Sequence, residues 1–176
     1  RNICCMGSTP AQTLEKFTPF VMKHFNGKKI YTLAADYNYG QITAKWIKKF
    51  AMENGGDVIQ TDFFPLDVSE FGTTLRKSHA AQPDIIMSVL VGAAHNSFYR
   101  QWVASGMKDK IPMASTTFGI GNEQVLTSPE EHNGIIVSYA YFDGIQTPEN
   151  KSFLERYYAR FGENADAITE GAAMSY

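Results

Sequence analysis

Two turns carry the residue types with the most chemistry to offer. One is Asp36-Tyr37-Asn38-Tyr39-Gly40 and the other is Gly92-Ala93-Ala94-His95-Asn96. Two aromatic rings in one turn are not easily buried together, and their hydroxyls need partners or water. A ligand clamp accounts for Tyr37 and Tyr39; so does ordinary packing over the edge of a sheet. Gly92, Ala93 and Ala94 let the backbone approach a guest, and amides at a helix start favour a carbonyl or negative oxygen. A tight turn accepts small residues for its own sake as well. His95 is the one histidine of four in such a turn; His24, His79 and His132 fall in or near helix ends. No second histidine or acid stands at ligand spacing from it, which argues against a metal site.

Covalent chemistry finds little support. Ser88, Ser97, Ser115, Cys4 and Cys5 are the available nucleophiles, but the G-x-S-x-G elbow is missing. Asp36 could orient His95, since both follow strands, yet a lone Asp–His pair arises often by chance. Cys4 and Cys5 are adjacent, so they point to opposite faces of a strand and a ring closed between them would be strained. A pyrophosphate cradle needs several glycines at fixed offsets, and the turn at Asp36 has one. Gly119-Ile120-Gly121 is too short to serve, and Glu123 beyond it reads as a helix-start acid. The residues therefore describe a binding protein with no cofactor rather than an enzyme.

The elements that must position these turns alternate. Ile30 to Ala34 is a strand bounded by Gly27, and from Ile42 the spacing changes to a helix with Trp46, Ile47, Phe50 and Ala51 on one face. Further strands are predicted at Val58 to Phe64, Ile85 to Val91, Ile111 to Ser115 and Ile135 to Tyr141. The third of these five is almost continuously apolar, as a central strand covered on both faces should be. Helices are predicted over Ser69 to Ala81 and Ala94 to Ser105, with a short one at Asn122 to Leu126. Thr18-Pro19 and Thr147-Pro148-Glu149 both read as capped helix starts, the second with a buried face of Phe153, Leu154, Tyr157, Tyr158 and Phe161 that ends at Gly162. Such alternation implies an α/β fold with a parallel sheet and right-handed crossovers. Both turns then lie at carboxyl ends of strands, where open α/β sheets place their ligands.

Composition bounds the rest. At 176 residues and 44% hydrophobic, the chain can bury one sizeable core or two small ones. A net charge of −2 with dispersed Lys and Arg argues against a nucleic-acid partner. No apolar run approaches the ~20 residues of a membrane span. The chain opens on Arg1 and stops in the apolar run Ala172-Ala173-Met174, so it reads as an internal piece of a longer protein, from which any targeting segment would have been lost.

Three segments carry a family resemblance. Asp36-Tyr37-Asn38-Tyr39-Gly40 after a strand, Ala81-Gln82-Pro83-Asp84-Ile85-Ile86 before the central strand and Phe98-Tyr99-Arg100-Gln101 after the small loop resemble the bilobed type I periplasmic solute-binding proteins. The family includes branched-chain amino acid receptors of ABC transporters. Tyr141-Phe142-Asp143-Gly144-Ile145-Gln146-Thr147-Pro148-Glu149-Asn150-Lys151, followed by Tyr158 to Asn164, is more similar to its amide and urea branch.

The resemblance implies that residues 1–27 end the amino-terminal lobe, that 28–137 form the carboxyl-terminal lobe, and that 138–176 cross the hinge back. It implies a small-molecule solute, an ABC transporter membrane permease as partner, and a periplasmic protein or cell-surface lipoprotein. A cytoplasmic sensor of the same fold, controlling gene expression through a protein partner, is the first alternative. An enzyme of the nucleotide-binding α/β class is the second, and needs a phosphate loop or a base near a nucleophile that these turns do not supply. Ligand contacts are then expected from Tyr37, Tyr39, Gly92, Ala93, Ala94, His95 and Phe118. Amino-acid receptors of this family place an acid just before Gly-x-Gly-Asn, where it meets the ligand's ammonium. Here Phe118 precedes Gly119-Ile120-Gly121-Asn122, so the resemblance favours a neutral amide-like ligand unless Glu123 replaces the acid.

Overall fold

The computed structural model describes residues 7–120 and 123–162. Cys4, Cys5, Gly121, Asn122 and residues 163–176, the end of the stretch expected to cross the hinge back, lie outside them. The chain divides into two compact units, Thr9–Ser138 and a second that includes residues 7–8 and 139–162.

The first unit begins with α1 (Pro10–His24), then β1 (Lys29–Ala35), α2 (Asn38–Glu53), β2 (Asp57–Phe64), α3 (Gly72–Ala81) and β3 (Ile85–Val89). It continues with α4 (Ala93–Ala104), β4 (Met113–Ser115), α5 (Glu123–Leu126), α6 (Pro129–His132) and β5 (Ile136–Val137). The five strands form one parallel sheet in the order β2-β1-β3-β4-β5. Alternate side chains of β1 serve opposite faces, as strand geometry requires. Ile30 and Ala34 join Leu14, Phe17, Ile47 and Phe50 under α1 and α2. Tyr31 and Leu33 join Phe71, Phe98, Tyr99 and Trp102 under α3 and α4. β3 is buried at all five positions, so the expected central strand is central; Ile86 and Val89 on it are buried, as are Phe98 and Trp102 on α4.

The amino edge of the sheet is tied by one carboxylate. Asp84 Oδ2 accepts from the backbone N–H of both Lys28 and Lys29 at 2.8 Å. Burial alone would raise its pKa, but these two donors and the charge of Lys29 outweigh it and hold the group ionised at lower pH.

Several local expectations need correction. The first helix starts at Thr9-Pro10, not at Thr18-Pro19. Thr9 and Gln12 make a reciprocal capping box, while Thr18 is buried in mid-helix and Pro19 lies inside it. An internal proline costs roughly 3 kcal/mol, offset by the continuous buried stripe of Leu14, Phe17 and Val21. The sequence also leads one to expect Phe17, Phe20 and Phe25 to present exposed faces to the rest of a longer protein; instead Phe17 belongs to that stripe and Phe25 packs on the same core. Phe20 alone of the three is exposed, at 53%, stacked on His24. The run Ile135 to Tyr141 pairs only over β5, so Ile136 is half-buried at a sheet edge. Helix α6 was not anticipated, although Ser128-Pro129-Glu130-Glu131 forms a capping box with proline at the first turn.

The second unit holds α7 (Pro148–Phe161), capped by Thr147 and ended by Gly162 as expected. Its aromatic face is half-buried rather than buried. Phe153, Tyr157 and Phe161 stack on one another at 5.9 and 4.8 Å, and Phe161 stays exposed. Buried Asn150 orders the preceding segment: its Nδ2 donates to the carbonyls of Asp143 and Ile145, and its Oδ1 accepts from the Tyr141 hydroxyl.

Candidate functional site

The strand order reverses direction between β1 and β3. The helix after β1 leads outward to β2, while β3 starts the other half of the sheet, so their carboxyl ends form the switch point at which open α/β sheets place ligands. Both turns singled out above end there.

The turn after β1 brings α2 unusually close to its own strand. A Cβ built on Gly40 would stand 2.0 Å from the carbonyl oxygen of Ala35, so no side chain fits. This approach sets Tyr39, whose carbonyl accepts from Thr43 Oγ1 at 2.6 Å and whose hydroxyl meets Thr116 Oγ1 at 3.2 Å. Tyr37 precedes α2 in extended backbone with its side chain 40% exposed, its ring centroid 6.0 Å from that of Tyr39. Partial burial, and then the neighbouring Tyr39 phenol, raise its pKa, so it stays a neutral hydrogen-bonding group.

The turn after β3 hinges on Gly92, at φ 72° and ψ −147°, a conformation essentially closed to other residues. It launches α4, leaving Gly92 and Ala93 exposed while Ala94 and His95 are buried. His95 Nδ1 lies 2.9 Å from the Tyr99 hydroxyl, which reaches Ser88 Oγ at 3.4 Å. Burial depresses the His95 pKa; the charge of Glu123 and a bond to the Leu90 carbonyl oppose this without cancelling it. His95 is therefore a neutral member of a buried network, and not a free acid or base at the surface. The suggested Asp36–His95 pair does not form, because exposed Asp36 accepts from Gln41 Nε2 at 3.1 Å.

The loop after β4 supplies the third wall. Phe118 is buried, its ring packed on Tyr99 and His132. Buried Glu123 accepts from the Gly119 amide at 2.6 Å. Of the seven residues expected at the site, Tyr37, Tyr39, Gly92 and Ala93 reach the surface, while Ala94, His95 and Phe118 lie behind them. Thr116 was missed. Its signal was the polar run Ser115-Thr116-Thr117 closing a strand, where an apolar side chain is usual.

A concavity of about 240 Å³ opens at the opposite end of the sheet, between Trp102, Lys108, Ile111, Met113, Glu131 and Ile135. It lies on the amino side of β4, away from the switch point. Among the described residues no group of three or more metal-ligating side chains converges, and no helix is long and apolar enough to cross a membrane.

The family model for periplasmic binding proteins matches residues 1–176. The chain belongs to this family. Solved structures agree on the fold. A branched-chain amino acid ABC transporter periplasmic ligand-binding protein from Burkholderia xenovorans is similar over 98% of this chain and 45% of its own, at 17% identity and a TM-score of 0.84. An ABC transporter solute-binding protein from Rhodopseudomonas palustris, in complex with p-hydroxybenzoic acid, matches over 97% and 46% at 24% identity and a TM-score of 0.79. Another from R. palustris, in complex with 4-hydroxybenzoate, matches over 91% and 43% at 25% identity and a TM-score of 0.74. The chain thus spans under half the length of these family members. No curated protein matches it.

Proposed function

We propose that this chain supplies one closing face of an extracytoplasmic solute receptor that feeds an ABC importer. The sheet unit is the carboxyl-terminal lobe, and residues 139–162 lead back toward the other lobe. The observation that carries this reading is that two surface turns, Tyr37–Tyr39 and Gly92–Ala93, follow the neighbouring parallel strands β1 and β3 on either side of the switch point of the sheet. A solute that contacts both lobes only when they are closed shifts the equilibrium toward closure, and the permease reads that closed form. No bond need be made or broken. The sensor alternative draws no support from the similar structures, which are transporter receptors.

The ligand we favour is a small neutral solute with a planar polar group, such as an amide or urea. An amino acid's ammonium would need a buried partner, since an unpaired buried charge is costly. Phe118 cannot be that partner, and the Glu123 carboxylate is turned onto the Gly119 amide inside the fold. Hydroxyls and ring faces of Tyr37 and Tyr39 suit a planar group. Such geometry also admits the aromatic acids held by the R. palustris receptors.

A thermal-shift panel on the full-length receptor tests this. Acetamide and urea are expected to stabilise it more than leucine or valine. Tyr39→Ala should cut that response, equivalent to about 1–3 kcal/mol of binding, while leaving the ligand-free melting curve in place. A response to 4-hydroxybenzoate alone would keep the site and move the ligand to the aromatic acids. Strong stabilisation by leucine or valine, abolished by Glu123→Gln, would contradict the proposed ligand class.

A further inference from the structure

We infer that Thr116 is a positioning and specificity-determining residue of this site, tying the Tyr39 hydroxyl so that its proton faces the ligand and selecting a carbonyl or carboxylate oxygen. This rests on the reading of the site given above. Tyr39 follows β1 and Thr116 follows β4, with β3 between them in the sheet. Their contact, 3.2 Å between Oη and Oγ1, therefore spans the carboxyl end of β3, next to the Gly92 turn. Two hydroxyls carry two protons, and the bond between them uses one. Thr116 is 6% exposed, whereas Tyr39 is half-buried. Were Tyr39 the donor, the proton of a buried threonine would have to find a further acceptor; with Thr116 as donor, its own proton is satisfied and that of Tyr39 points to the open side.

The neighbouring start of α4 reinforces this polarity. Gly92 leads directly into Ala93 and Ala94, whose amides head a twelve-residue helix with no side-chain cap bond. A helix start carries partial positive charge, so it favours an oxygen and disfavours an ammonium or amidinium. Phenol proton and helix start thus make the same demand on the ligand. Thr116 acts through Tyr39, not by contact of its own.

Isothermal titration of the full-length receptor with two matched pairs, acetamide with acetamidine and benzamide with benzamidine, tests the assignment. Each pair keeps its shape and exchanges a carbonyl oxygen for a charged donor. Wild type is expected to prefer the amide of each pair. Thr116→Val should weaken amide binding about tenfold and narrow that preference, whereas Thr116→Ser should restore both. The double variant Thr116→Val/Tyr39→Phe should bind no worse than Tyr39→Phe alone, because the two residues act as one unit. Wild-type affinity in Thr116→Val, equal loss in Thr116→Ser, or additive losses in the double variant would each overturn the assignment. Failure of the wild type to bind either amide would instead overturn the neutral-amide reading of the ligand on which it rests.

Discussion

Trp102→Ala is expected to cost about 3–5 kcal/mol of folding stability, through the lost burial of an indole and the cavity left behind. Trp102 is only 2% exposed and packs against Phe98, with ring centroids 5.8 Å apart, in the core beneath α3 and α4. That core touches β1, β3 and β4 together through Tyr31, Leu33, Ile86 and Met113. Urea unfolding should show a large fall in midpoint with little change in slope. A loss below about 1 kcal/mol, the size of an ordinary surface change, would mean that the indole is not a core residue. It would then also be wrong to place α4 on this face of the sheet.

Gly40→Ala should destabilise the protein by about 3 kcal/mol or more, although alanine is the better helix former by roughly 1 kcal/mol. The methyl would stand 2.0 Å from the Ala35 carbonyl oxygen, and both groups are backbone-fixed, so α2 must move off β1. The same displacement carries Tyr39 away from Thr116, so solute binding should fall together with stability. Equilibrium unfolding and titration of this one variant check both. An unchanged or raised stability would show that α2 does not start where the structure places it, and would remove the reason for Tyr39's position.

What could be read from the chain was whatever its local pattern determines. The apolar run at Ile85, the change of period after Ala34 and the cap at Thr147-Pro148 each act over a few residues, and each predicted its element. Thr18-Pro19 shows how such a signal misleads: Thr9-Pro10 carries the same dipeptide, and Gln12 three residues after Thr9 separates the two. The buried stripe from Leu14 to Val21 then carries the helix through Pro19. The chain end of the sheet was over-read because Ile135 to Tyr141 is β-favouring throughout, while only Ile136 and Val137 find a partner strand. At the site, Tyr37, Tyr39 and the Gly92 turn were legible from residue type beside a strand end. Inward rotation of Phe118 was not, since it depends on Tyr99 and His132 from other elements. Nor was the Tyr39–Thr116 bond, which exists only because β3 lies between β1 and β4.

A crystal structure of the full-length receptor, purified with the solute it carries from the cell, tests the central claim most directly. The account expects that solute at the carboxyl ends of β1 and β3, within about 3 Å of the Tyr39 hydroxyl and of an amide at the start of α4. A solute seated instead in the concavity between Trp102, Ile111 and Met113, with the Tyr37–Tyr39 turn empty, would contradict it.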